Sequence, residues 1–163
     1  MRPAGGGLYL VSTGRAEQRA LQRRFYEADT DADVTERFLA TLERLPSARV
    51  VLLGVPSDVG AGFRRGANLG PQAIRRQLLD ADPGFVEYCK AHDIVDAGDV
   101  FVVPQLLDDR MLSAEQLRRA RRALYPDVPD GVRDTLPASP LSIAERALAL
   151  VLRLAPRAQP LLL

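Results

Sequence analysis

Apolar runs and helical stripes alternate along this chain in the order strand, helix, strand, helix, strand, which predicts an α/β fold with a parallel sheet. Its centre is residues 50–53, a buried-type apolar run that breaks into a Gly-rich loop and enters a helix at Gly70-Pro71. Length and composition agree. With 163 residues, 47% apolar and 26% charged, the chain can bury one ordinary core and is not built for wholesale disorder.

Residues 1–7 are rich in Gly and Pro and are expected to be loose. A helix over residues 16–28 puts Leu21 and Phe25 on one face. Asp31 or Asp33 is placed to cap a second helix, whose stripe is Val34, Phe38, Leu42 and Leu45 and which Pro46 stops. After the first strand and the Gly-rich loop, Gly70 at the cap and Pro71 at the first helical position open a helix, because proline there gives up no needed hydrogen bond. Ile74 and Leu78, four apart, are expected to face inward. Residues 92–95 lead a second short strand toward Asp96, and the pattern weakens over residues 100–107. Ser113 with Gln116 predicts a capping box opening a helix with Leu117, Ala120 and Leu124 inside. Residues 126–138 read as a Pro-interrupted linker. Ser142 with Glu145 reads as another capping box, followed by Ala144, Leu148, Val151, Leu152 and Ala155 on one face. Residues 159–163 close as an apolar strand.

The net charge of +1 provides no global field for nucleic acid or an anionic membrane. Arg118, Arg119, Arg121 and Arg122 make a basic helix run beside few aromatics, which reads as a solvated face rather than a nucleic-acid surface. No segment approaches the roughly 20 apolar residues of a membrane span. The apolar run at residues 8–11 is too short for a secretory signal. Cys89 is alone, which fits a reducing compartment, so a cytoplasmic location is expected.

Three clusters invite chemical readings. His92, the only histidine, stands with Asp93, Asp96 and Asp99 in a spacing that crowds metal-ligand types together. Alternate strand residues point to opposite faces, however, so a strand end whose carboxylates bind backbone or loop groups is preferred. The Gly-rich loop has the position of a phosphate cradle, between a strand and a helix N-terminus. Gly60, Gly62 and Gly66 nevertheless match neither the dinucleotide fingerprint nor the P-loop. The plainer reading has these glycines supplying positive φ or close packing while Asp58 fixes the turn. Cys89 beside Lys90 has no partner histidine pattern and reads as an ordinary small residue.

Gly54-Val55-Pro56, Asp58, Arg64, Gly66, Gly70-Pro71 and Ile74-Arg75, with Asp96-Ala97-Gly98-Asp99 further on, resemble the opening of the arginase/agmatinase (ureohydrolase) family. The resemblance covers residues 49–99 by motif and 139–163 by pattern, while residues 1–48 carry no family motif. It implies a three-layer α/β/α fold with a parallel sheet. The chain then divides into an N-terminal helical extension, residues 1–48, and the N-terminal part of an arginase-like domain, residues 49–163. It also implies hydrolysis of a C–N bond in a guanidino or formimidoyl substrate by a pair of Mn²⁺ ions. A guanidinium carbon is a poor electrophile because its charge is delocalised, so the reaction needs a metal-bound hydroxide.

The family's metal-binding segments, Gly-Gly-Asp-His, Asp-Ala-His-x-Asp and Ser-x-Asp-x-Asp, do not occur here. Residues 160–163 resemble the strand that leads into the first of them. The expectation is therefore an incomplete arginase-like sheet, inactive alone, with no catalytic or metal-binding residue of its own. In the family the loop after the first strand borders the active-site mouth. Asp58, Arg64 and Asn68 are thus the candidates to touch a substrate or a neighbouring subunit, with Asn68 standing where agmatinases often carry a second Arg. Expected partners are a small guanidino-type substrate in the intact enzyme and either a second copy or a complementing C-terminal half, with no nucleic acid and no membrane. The rival readings are a non-catalytic interaction module or split-enzyme subunit that docks on an intact family member, and an unrelated α/β ligand-binding domain.

Overall fold

The computed structural model describes residues 1–59, 63–101 and 108–163. Gly60, Gly62 and most of the weakly patterned stretch 100–107 lie outside the described residues. Among those described, the elements run α1 (Ser12–Phe25), α2 (Asp31–Glu43), β1 (Val50–Gly54), α3 (Gly70–Ala81), α4 (Phe85–Ala91), β2 (Ile94–Asp99), α5 (Ala114–Leu124), α6 (Asp130–Arg133), α7 (Pro140–Leu154) and β3 (Gln159–Leu162). β1 lies between β2 and β3 and is parallel to both. Among the described residues no helix is long and apolar enough to cross a membrane.

Helices cover both faces, which makes this the expected parallel α/β architecture. Side chains alternate along β1. Val51, together with Val95 and Ala97 of β2, packs on Val151 and Ala155 around α7, and Leu53 packs on Ala147. On the other side α1, α2 and α3 share a second core of Leu21, Phe25, Val34, Phe38 and Leu79. Burying each such Leu or Phe contributes about 1.5–3 kcal/mol. Tyr26 joins this core with its hydroxyl accepting from the Ala4 N–H at 3.0 Å, so the Gly-rich first residues are tied to α1.

Several local expectations shift. α2 is capped by Thr30, with Asp33 completing the reciprocal pair from inside the helix; neither Asp31 nor Asp33 is the cap. The predicted Ser113–Gln116 box forms as read, with both bonds present. The Ser142–Glu145 box does not. α7 starts three residues earlier, at Pro140 with Ser139 as its cap, and the Ser142 hydroxyl instead accepts from the Asp109 N–H at 3.2 Å. On α3 the inward face is Gln72, Arg75 and Leu79, leaving Ile74 42% exposed. The apolar stripe misjudged the rotation because the residue that most needs burial there is charged. On α7, Leu152 is likewise exposed while Ala147, Val151 and Ala155 are buried. The predicted linker is folded down: Arg121 Nε donates to the Leu136 carbonyl at 2.6 Å and the Tyr125 hydroxyl to that of Pro137 at 2.8 Å.

Candidate functional site

Because the three strands are parallel, their carboxyl ends share one edge, with Gly54 opposite Asp99 and Leu53 opposite Leu162. In open α/β sheets ligands bind just beyond that edge. Here it carries the loop from β1 to α3, the start of the segment after β2, and the N-terminal residues.

Beneath the edge lies a buried charge cluster. Arg75 of α3, 0% exposed, donates from Nε to Asp96 Oδ2 at 2.7 Å and from Nη2 to Asp96 Oδ1 at 2.8 Å. Its Nη1 donates to Asp99 Oδ1 at 2.6 Å. The remaining acceptor capacity of the carboxylates goes to backbone: the Gly98 N–H reaches Asp96 Oδ1 at 2.8 Å and the Gly7 N–H reaches Asp99 Oδ2 at 3.2 Å. Burial would lower the guanidinium pKa, but the two carboxylates outweigh it and hold Arg75 above its ordinary value. Burial also pushes the Asp99 carboxyl up, and Arg75 offsets that only in part.

Two aspartates three apart on a regular strand would face opposite ways. The β1–β2 register shows how both reach one guanidinium. Leu52 pairs with Asp96 but Gly54 pairs with Asp99, so β2 carries one extra residue, a bulge. Gly98 supplies the turn with φ 76°, a conformation that side chains resist. Gly54 supplies the space, since a Cβ there would lie 1.9 Å from Asp99 Oδ1. The N-terminal segment seals the cluster through a two-way backbone pairing of Arg2 with Asp99, at 2.8 and 2.9 Å.

The three residues expected at a substrate mouth are placed by this edge but not gathered. Asp58 lies four residues beyond β1, with its side chain 7% exposed. Its cation is Arg65 rather than Arg64, and the contact is loose, 3.8 Å from Nη1 of a side chain 73% exposed. Arg64 is exposed, and Asn68 is half-buried in a 3-10 turn, Ala67–Leu69, that leads into α3. Among the described residues no hydrogen bond joins Asp58, Arg64 and Asn68. Gly66 has φ 126°, as the loop reading requires, whereas Gly70 has an ordinary helical φ of −51° and is already part of α3.

The residues missed at the sequence level are Arg75 as a buried anchor and Asp109. The Asp109 carboxylate accepts from the Ser139 N–H at 2.8 Å and the Ser139 hydroxyl at 2.6 Å, tying the segment after β2 to the positive N-terminal end of α7. A signal was available for the first. Arg75 and the Asp-x-x-Asp of residues 96–99 are complementary charges on elements that must pack together.

The profile of the Arginase family matches residues 48–131, just over half of the chain. The chain belongs to the arginase family. Over 89 residues it is 35% identical to proclavaminate amidinohydrolase of Streptomyces clavuligerus, covering 45% of this chain and 28% of that protein. Over 86 residues it is 34% identical to N(1)-aminopropylagmatine ureohydrolase of Thermococcus kodakarensis, covering 48% of this chain and 30% of that protein. The chain thus aligns with less than a third of the length of either relative. No solved structure matches it.

Membership in the family implies a metal cofactor in the intact enzyme. His92, Asp93, Asp96 and Asp99, the metal-ligand types crowded together in the sequence, do not form a site for one. Among the described residues no three His, Cys, Asp or Glu side chains gather as a metal group would require. Asp96 and Asp99 are committed to Arg75. His92 precedes β2, away from the carboxyl edge, where it stacks on Tyr88 with ring centroids 4.0 Å apart.

Proposed function

We propose that this arginase-family chain forms the opening part of a cytoplasmic enzyme that hydrolyses a C–N bond of a guanidino or formimidoyl substrate, of the agmatine or arginine type. In this reading residues 1–48 are a helical extension on residues 49–163. Asp58, Arg64 and Asn68 border the substrate mouth, and the binuclear Mn²⁺ site is held by polypeptide that this chain does not supply. The reading rests chiefly on one observation: the family's loop lies at the carboxyl edge while the strand-end carboxylates Asp96 and Asp99 are saturated by Arg75. The names of the two relatives, an amidinohydrolase and a ureohydrolase, support the reaction class.

The flank of the sheet is open to a further strand. β3 pairs with β1 on one side and, among the described residues, with no strand on the other; Leu161 and Leu162 are 46% and 59% exposed. Unpaired apolar strand edges accept further strands. The same feature favours the alternative in which the chain docks, without catalysis, on an intact family member. Co-expression with a family polypeptide that begins at Gly-Gly-Asp-His, and separately with an intact family member, separates the two. Co-purification with Mn²⁺-dependent urea release from agmatine or arginine is the expected result. Stable association without turnover favours the docking module, and failure to associate with either polypeptide contradicts both.

A further inference from the structure

A groove of about 210 Å³ runs between α1, the first half of α2 and the N-terminal segment, wholly within residues 1–48. Arg15, Gln18, Arg19 and Gln22 reach it from one face of α1, where spacings of three and four residues stack side chains. Arg2 reaches it from the N-terminal segment, and both walls are fixed. The Gln18 amide donates to the Gly5 and Leu8 carbonyls at 2.6 and 3.2 Å, and the Arg2 backbone pairs with Asp99. The charges do not cancel. Among the described residues Asp31 is the one acid in the lining, and it is shared by Arg19 at 3.0 Å and by Arg23, outside the groove, at 3.2 Å. The Arg2 guanidinium lies over the Phe101 ring, 5.3 Å from its centroid, a contact that leaves its N–H edge for other groups. Among the described residues neither Arg2 nor Arg15 has a carboxylate partner, and the Gln22 amide makes no hydrogen bond. The acid of α1, Glu17, is turned away to Arg76.

We infer that this groove binds a phosphate group, as the free ion or as the head of a small phosphate ester. Three guanidiniums against one carboxylate leave two positive charges, which balance a phosphate dianion. The unused donors are on Arg2, Arg15 and Gln22, and a guanidinium fork meets phosphate oxygens two at a time. An occupant would bridge α1 to the segment that seals the Arg75 cluster, so binding would tighten the N-terminal residues onto the sheet. None of the donors falls within residues 48–131, the span matched by the family, so the site belongs to the extension alone.

Calorimetric titration of the full chain with sodium phosphate tests this, at low ionic strength and a mildly alkaline pH where the ion is doubly charged. Sodium chloride at matched ionic strength is the control. Phosphate should bind and raise the melting temperature, and chloride should do neither. Arg15→Gln and Arg2→Gln, both at exposed side chains, should each weaken phosphate at least about tenfold, as loss of a charge-assisted hydrogen bond requires. Arg118→Gln removes the same charge from the exposed face of α5 and should leave the affinity unchanged. Glycerol 3-phosphate as a second titrant distinguishes the sources. An ester that binds as well as phosphate or better assigns an ester head, and one that binds more weakly assigns the free ion. No heat with phosphate, an equal response to chloride, or an equal loss in Arg118→Gln would overturn the inference.

Discussion

Two arginine–aspartate contacts stand within a few residues of the same sheet edge, and they have little in common beyond their chemistry. Arg75 is fully buried, bidentate to Asp96 and bonded to Asp99, with the leftover oxygens filled by backbone N–H groups. Arg65 reaches Asp58 at 3.8 Å from a side chain that is 73% exposed. The buried cluster fixes the frame, while the Arg65 guanidinium, still in water, ties the loop after β1 only loosely. In water an exposed pair is worth about 0–1 kcal/mol, whereas removing one partner of a buried pair strands its charge and costs several times more.

That contrast can be broken at its strong end first. Arg75→Met should destabilise the chain by about 3–5 kcal/mol in denaturant unfolding, because two carboxylates are left buried without a counter-charge. Gly54→Ala should follow, at about 1–3 kcal/mol, since its Cβ would meet Asp99 Oδ1 at 1.9 Å and force the cluster apart. The loop glycines sharpen the comparison. Gly66→Ala has open space around it but φ 126°, so it should cost about 1–2 kcal/mol through backbone strain alone. Gly70→Ala, equally open but helical, should instead stabilise by about 0.4–1 kcal/mol. Arg65→Ala should stay within about 0.5 kcal/mol of wild type, as exposed substitutions do. A melting temperature that falls as far for Arg65→Ala as for Arg75→Met would erase the distinction.

Much of this frame was legible in the residues. The run at 50–53, the Gly70-Pro71 helix start and the Ser113–Gln116 box carry local chemistry that tertiary packing did not override. The family followed from short motifs around β1 and β2. The bulge in β2 was not legible, because strict alternation sends Asp96 and Asp99 to opposite faces until Gly98 adopts φ 76°. The inward face of α3 was missed for a related reason: periodicity searches for apolar residues, and the side chain that turned inward was Arg75. Thr30 was overlooked as a cap because the neighbouring acids at 31 and 33 offered the same signal one and three residues later. Asp58, Arg64 and Asn68 could be placed on the loop after β1, but the Arg65–Asp58 contact was not legible, because spacing within a loop does not specify which side chains meet.

The central claim is that Arg75 holds the carboxyl edge by neutralising two buried carboxylates. A three-residue charge-removal series tests it most directly. Asp96→Asn and Asp99→Asn keep acceptors for the Gly98 and Gly7 N–H groups while removing charge. Introduced into Arg75→Met, they should restore a substantial part of the lost unfolding free energy, because no uncompensated charge is then left inside. A triple variant no more stable than Arg75→Met alone would contradict the account.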